Sequence, residues 1–424
     1  MLLISNGRVL DPATGSDEPR DILLDGDRIA AIAPQGQLDA QAAEAEILDV
    51  TNLIVAPGFI DLHCHLREPG GESSETIETG TRAAARGGFT AVCPMPNTRP
   101  VNDNASVTRS ILERAAAVSN VRVWPIGAAS AGSKGEALSE IAAMKQAGIV
   151  AVSDDGRPIA NAKLLRQVME YCRALDLPVI DHCEDSSLFA GAVMREGTQS
   201  VRLGLRGMPA ATESLAVARD VQVGELTNCR LHIAHLSARK SLELVREAKG
   251  RGLPVTCEVT PHHLTLIDED VQYDTRFKMN PPLASRDDRD VLIAGLADGT
   301  VDAIATDHAP HEAALKDVEF DRAPFGVTGF ETALGLALEL VHAGKISLLR
   351  MVELFTSGPA RVLGMHRRIA ENEPADLTIF STQHKWIFRT AQSASKSHNS
   401  PFDGRSFRGA PMATIVAGRI AYRR

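Results

Sequence analysis

Eight times between residues 56 and 365, a short β-branched run ends in polar or Gly/Pro residues and gives way to a longer helical stretch. The runs fall at 58–63, 88–93, 121–126, 149–153, 178–182, 231–235, 254–259 and 302–307. Helical patterns fill the gaps, for example at 163–175 and 237–249, and a last one covers 329–342. This alternation calls for parallel strands joined by crossover helices, and eight consecutive units favour a closed, TIM-like (β/α)₈ barrel over an open doubly wound sheet. No G-x-G-x-x-G follows the first run, which weighs against a dinucleotide-binding fold. The chain has 424 residues, 44% of them hydrophobic, enough to bury a large core. Only 4% are aromatic, so Ala, Val, Leu and Ile must fill that core.

The two ends read differently. Short strands are expected at 2–4, 21–24 and 28–31, and again at 376–380, 413–416 and 419–422, with Asn-Gly and Asp-Gly turns near the N-terminus. Neither end has enough apolar surface to stand alone. Residues 1–55 and 366–424 are therefore expected to form one small β-sandwich domain beside a barrel at 56–365.

The net charge of −9 comes without a basic stripe, which argues against a nucleic-acid surface. No run of about 18 apolar residues predicts a membrane span. The first residues lack the basic head and apolar stretch of a signal peptide. Six scattered cysteines without C-x-x-C spacing read as reduced, buried thiols, and the expected compartment is the cytoplasm.

Polar residues cluster where barrel chemistry belongs, at the carboxyl ends of the strands. His63 and His65 end the first run; alternate residues of a strand share a face, so both imidazoles can converge on one ion while Cys64 points away. His182 closes the fifth run and His235 the sixth. Asp154 and Asp155 close the fourth, and Asp307 the eighth. Each alone has a bland explanation, a strand-end histidine or an acidic helix cap. Together, four His and two Asp at strand ends make an N/O-rich site suited to Zn²⁺ or a related ion, with ligands enough for two ions sharing a carboxylate. Ions about 3.5–4 Å apart could hold a hydroxide, and bound metal can bring the pKa of water toward about 7. Asp307 would take the proton of the attacking water and return it to the leaving nitrogen. The chemistry implied is hydrolysis of an amide-like bond. His232 should face away from His235 and is expected to be structural.

The stretch GFIDLHCHLREPG at 58–70 resembles the amidohydrolase superfamily and, within it, the bacterial class I dihydroorotase family. MPNT at 95–98, SDDG at 153–156, HCE at 182–184, AHLS at 234–237, TPHHL at 260–264, KMNPPL at 278–283, ATDHAPH at 305–311 and APFG at 323–326 follow in the family's order. HxH marks only the superfamily; HLREPG with MPNT and MNPPL is far more specific.

The resemblance implies reversible interconversion of (S)-dihydroorotate and N-carbamoyl-L-aspartate in de novo pyrimidine (UMP) synthesis. It implies a zinc centre of two ions, or one, carried by His63, His65, His182, His235 and Asp307. An Asp of SDDG would form the bridge, and spacing from the HxH pair favours Asp155 over Asp154. Many superfamily relatives place a carbamylated Lys there; no Lys ends the fourth run, as fits this subgroup. Asp307 matches the family's acid/base. Substrate contacts carry over to His65, Arg67, Asn97, Asn280 and His311, with Phe325 and Gly326 lining the pocket. The substrate's carboxylate suits Arg67, whose planar fork of donors can meet it, and the two Asn can hydrogen-bond the ring edge. His262 and His263 are expected to serve strand structure only. The loop at 312–324 lacks an apolar period and reads as a lid or a long surface connection.

Two alternatives stand beside this reading. Another cyclic amidase, a hydantoinase or an allantoinase, is disfavoured by the missing Lys and by Arg67. A non-catalytic partner of aspartate transcarbamoylase would be expected to have lost ligands, and all are present. A homodimer is the default expectation; association with aspartate transcarbamoylase follows from the resemblance alone.

Overall fold

The computed structural model describes residues 1–189 and 191–424. Its barrel strands are β1 (Phe59–Cys64), β2 (Phe89–Pro94), β3 in two pieces (Arg122–Val123 and Ile126–Ala128), β4 (Ala151–Ser153), β5 (Val179–Asp181), β6 (Leu231–Ile233), β7 (Val255–Val259) and β8 (Ala303–Ile304). Each pairs in parallel with the next. The circle closes between β8 and β1. There the His65 N–H donates to the His308 carbonyl at 2.8 Å, and buried Asp61 accepts from the Thr306 N–H at 2.8 Å and its hydroxyl at 2.6 Å. The fold is a (β/α)₈ barrel.

β3 breaks at Trp124-Pro125 because proline has no N–H to give to a ladder. The Trp124 N–H still reaches the Val92 carbonyl at 2.9 Å, and the Pro125 carbonyl accepts from Val150 at 3.1 Å. Both neighbours therefore stay tied to it.

The helices form where the pattern places them. Helix Ala162–Ala174 starts at Asn161, whose side chain accepts from the Lys163 and Leu164 N–H groups, and it buries Leu164, Leu165, Val168, Met169 and Cys172. Inside the barrel, Ile60, Leu62, Ile126 and Ile180 meet the small Ala91, Ala151, Ala303 and Ala305. All six cysteines are free and buried. No helix among the described residues is long and apolar enough to cross a membrane.

Strands from both chain ends share one eight-stranded sheet. Leu2–Asp11 pairs with Ser16–Asp25, with Glu46–Asp49 and with Ile54–Pro57. Ile54–Pro57 pairs with Leu377–Ile387, which pairs with Ser406–Val416, and Arg419–Arg423 completes the edge. Most of these strands run longer than the apolar pattern predicts. Ile4, Val9, Ile22, Val55, Ile379 and Ile415 belong to a core of their own.

The loop at 312–324 differs from a free polar connection. It carries the short helix Ala313–Lys316 and buries Lys316, Phe320 and Ala323. The Lys316 ammonium donates to the carbonyls of Thr275 at 3.0 Å, Lys278 at 3.2 Å and Pro324 at 2.8 Å, so a residue that reads as surface charge is an internal tie.

Candidate metal centre

Period-two alternation at the end of β1 turns His63 and His65 to the same side, while Cys64 joins the outer core. The two imidazoles face the carboxylate of Asp155, just beyond β4. Its Oδ1 lies 3.3 Å from His63 Nε2, 3.5 Å from His182 Nδ1 and 3.8 Å from His235 Nε2. Its Oδ2 lies 3.6 Å from His65 Nε2 and accepts from Asn97 Nδ2 at 3.2 Å. One carboxylate thus turns its two oxygens toward different groups of imidazoles. Asp307 Oδ1 sits 3.0 Å from His65 Nε2 and 3.6 Å from His63 Nε2. The structure separates the two acids of SDDG, because Asp154 turns away and accepts from the Ala129 and Ser130 N–H groups at 2.9 and 3.1 Å.

Three residues of the site carry backbone strain. Arg67, His235 and Asp307 have φ of 61°, 32° and 44°, in the left-handed region that costs a side-chain-bearing residue of order 1–3 kcal/mol. For Asp307 the surroundings over-determine it: Thr306 is fixed by Asp61, and the His308 N–H donates to the Thr306 hydroxyl at 3.0 Å.

Burial alone would raise the acids' pKa values. At Asp155 the imidazoles of His63, His182 and His235 outweigh it, and at Asp307 those of His65 and His63 do, so both carboxyls stay well below their usual range. Burial opposes charge on the imidazoles too, yet Asp155 holds His63 well above its usual value, and Asp155 with Glu184 holds His182 at about 10. The carboxylates therefore set a negative field among these rings, one that a divalent cation held by neutral imidazoles would answer.

The donor set fits a metal on a second count. Buried His63 Nε2 and His235 Nδ1 have no hydrogen-bond partner, and His182 Nδ1 and His235 Nε2 point at each other across 2.9 Å. Two groups of three ligand atoms lie within 4.8 Å of one another, His63 with Asp155 and His235, and His63 with His65 and Asp307. These residues could hold metal.

Above them opens a cavity of about 240 Å³. It is lined by His65, Arg67, Asn97, Asn280, His311, Phe325 and Gly326, together with Asp155, His182, His235 and Asp307. Arg67 Nε donates to the Pro310 carbonyl at 3.1 Å. His311 Nε2 donates to the Phe325 carbonyl at 2.7 Å, and burial and then Arg67 push its pKa down to about 3, which keeps the ring neutral. Asn280 Nδ2 donates to Glu184 at 2.8 Å, and its buried Oδ1 has no partner. A larger cavity, about 1020 Å³, lies between the terminal strands and residues 119–122, away from every one of these groups.

Sequence reasoning gave no role to Glu258 or Glu184. Glu258 Oε1 lies 3.3 Å from His63 Nδ1, off the line of a hydrogen bond, and Oε2 lies 3.1 Å from His232 Nε2. His232 is buried against Thr256 and Glu258, apart from the four clustered histidines. Glu184 Oε2 lies 3.4 Å from His182 Nε2. The only signal of either acid was a charge beside or within an apolar run. His263 ties Thr260 to the Pro281 carbonyl, whereas the buried Nε2 of His262 has no partner.

A family model described as "Dihydro-orotase-like" matches residues 52–241. A protein named dihydroorotase from Solibacter usitatus is 53% identical, with 100% of this chain and 98% of that one aligned. Another of that name from Syntrophotalea carbinolica is 50% identical, with 100% and 99% aligned. Among solved structures, L-hydantoinase (dihydropyrimidinase) from Arthrobacter aurescens superposes with a TM-score of 0.89 at 25% identity, over 99% of this chain and 95% of that one. Dihydropyrimidinase from Brevibacillus agri gives 0.86 at 23% identity over the same shares, a likeness of fold alone.

Proposed function

The chain belongs to the dihydroorotase family of the amidohydrolases, and we propose that it opens and closes the ring between (S)-dihydroorotate and N-carbamoyl-L-aspartate at the mouth of its barrel. His63, His65, Asp155, His182, His235 and Asp307 would hold the metal, with Asp155 as the shared ligand. The imidazole and carboxylate donors suit Zn²⁺, two ions per subunit or one. Bound there, such a cation supplies a lowered pKa for water and positive charge for the scissile carbonyl oxygen.

In ring opening, water oxygen bonds to the amide carbonyl carbon and the ring C–N bond breaks. The Asp307 carboxylate accepts a proton from that water and gives it to the departing nitrogen; ring closure reverses each transfer. Asp307 stands ionised for the first transfer and beside the cavity for the second. Arg67 meets the substrate carboxylate with paired N–H groups. The free Oδ1 of Asn280 accepts from a ring N–H, and neutral His311 adds no second charge beside Arg67.

One observation carries this reading: a carboxylate flanked by four imidazoles within 3.8 Å shares its cavity with an arginine. That arginine favours a carboxylate-bearing ring over a plain hydantoin. The free, buried thiols support a reducing compartment such as the cytoplasm. A homodimer, and association with aspartate transcarbamoylase, remain expectations for sedimentation experiments.

The test joins metal quantification to a dihydroorotate hydrolysis assay. We expect bound metal in the purified protein, turnover lost on chelation, and turnover restored by Zn²⁺. In Asp307→Asn, kcat should fall about 10²–10⁴-fold while substrate still binds. Full turnover without metal would overturn the metal assignment, and an undiminished kcat would remove Asp307 from the proton path. Arg67→Ala should mainly raise KM, since the contact is made in ground and transition states alike.

A further inference from the structure

Asn399 lies outside the barrel, between the 3-10 turn Thr390–Gln392 and strand Ser406–Val416, yet it is only 5% exposed. Its side chain is fully engaged. Nδ2 donates to the carbonyls of Ala309 and Gly326, both at 3.0 Å, and Oδ1 accepts from the His311 N–H at 3.0 Å. Its own carbonyl accepts from the Thr328 N–H at 3.1 Å.

One residue therefore stitches 309–311 to 326–328, two stretches that carry cavity groups. His311 and Gly326 line the cavity directly. Pro310, between the two residues Asn399 holds, offers the carbonyl that orients Arg67 Nε. The stretches are pressed close: a Cβ on Gly326, whose φ is 131°, would come within 2.7 Å of Ala309 Cβ and 3.0 Å of His311 Nε2. Little slack remains, so a lost tie would be felt at Arg67.

The metal-facing groups are fixed by other means. Asp61 anchors Thr306 beside Asp307, and the His65 N–H donates to the His308 carbonyl. Loosening 309–311 should therefore disturb substrate recognition before metal binding.

We propose that Asn399 is a positioning residue for substrate recognition, holding the wall formed by Arg67, His311 and Gly326 in place from a segment outside the barrel. The inference rests on the reading of Arg67 as the carboxylate contact.

The test compares Asn399→Ala, Asn399→Asp, Arg67→Ala and the Arg67→Ala/Asn399→Ala double variant in dihydroorotate hydrolysis, with bound metal and Tm measured for each. Asn399→Ala should raise KM roughly 10–100-fold, the cost of misplacing a binding group by about an ångström. Its kcat and metal content should stay near wild type. In the Arg67→Ala background the same change should raise KM by a clearly smaller factor, because the chief group being positioned is gone while His311 and Gly326 remain. Asn399→Asp keeps the acceptor for His311 and sets a carboxylate against two carbonyls; it should raise KM likewise, and it carries the test if the Ala variant fails to fold. An unchanged KM, an equal rise in both backgrounds, or loss of metal together with kcat would overturn the proposal. If Arg67→Ala itself leaves KM unchanged, the carboxylate reading falls, and this inference with it. If Arg67→Ala raises KM and Asn399→Ala does not, only the inference falls.

Discussion

A carboxylate at the centre of an apolar barrel costs several kcal/mol unless its charge is answered. Glu258 on β7 is fully buried, and two imidazoles answer it, His232 at 3.1 Å and His63 at 3.3 Å. A carboxylate behind one ring nitrogen keeps a proton there and leaves the other nitrogen free for metal, which fixes both tautomer and ring orientation. Glu258 lies 3.3 Å from Nδ1 without a hydrogen bond to it, so its charge favours the proton there, and the metal-facing atom of His63 is Nε2, the atom nearest Asp155. Glu258→Gln should weaken metal binding about 10–100-fold, read by competition with a chromogenic chelator. An unaltered dissociation constant would reduce Glu258 to a packing role. The four histidines and Asp307 were legible because each ends an apolar run, where side chains face the barrel mouth. Glu258 was not, because it lies inside such a run and its partner His63 is distant in sequence. Between Asp154 and Asp155 the spacing from the HxH pair favours the second, but the physical reason, a turn that Ala129 and Ser130 close from another loop, was not legible.

The terminal strands outrun their apolar residues for a related reason. Leu377–Ile387 buries residues 377–381, then continues with half-exposed and exposed side chains held by backbone pairing to 406–408. Hydrophobic alternation reports burial, and a hairpin that projects past the core gives no such signal. Lys316 inverts the lesson, a charged residue that reads as surface and is internal. Its ammonium satisfies three carbonyls from two segments, 275–278 and 324, and the side chain as a whole is buried. Replacing it leaves those acceptors without a donor, at about 1–3 kcal/mol for a buried group. Lys316→Ala should therefore speed amide exchange across 312–326, with the barrel strands unaffected. Exchange as slow as in the wild type would show that the loop is held by Phe320 and its packing alone.

At the scale of the molecule, the sequence supports a division into 1–55 with 366–424 on one side and 56–365 on the other, and we retain it as a proposal. What joins the two parts is visible only in three dimensions. The carboxylate of Asp376, fully buried, takes two N–H groups of Arg122 at 2.6 and 3.0 Å and one of Arg367 at 2.8 Å; the Ala417 N–H adds a fourth bond at 2.8 Å. Arg122 belongs to β3, and Asp376 and Ala417 flank strands of the terminal sheet. Burial pushes the carboxyl's pKa up, but Arg122 and Arg367 outweigh it and hold the value below the usual range. A depressed value means that the stabilisation is present above the unfolded carboxylate pKa of about 4 and is lost as pH falls through the folded one. Asp376→Asn should cost about 3 kcal/mol at neutral pH, chiefly by leaving Arg367 buried without its counter-charge; half-buried Arg122 keeps access to water. The deficit should start to shrink below about pH 4, where the unfolded carboxyl takes a proton, and close as pH falls through the lower pKa of the folded one. The chain's two tryptophans allow the coupling to be read on each side, because Trp124 lies in the β3 break and Trp386 in the terminal sheet. With each Trp retained in turn, urea transitions should coincide in the wild type and move together in Asp376→Asn. If the Trp386 signal shifted while the Trp124 signal stayed in place, the sheet would be an independent appendage, and this ion cluster would not be what couples it to the barrel.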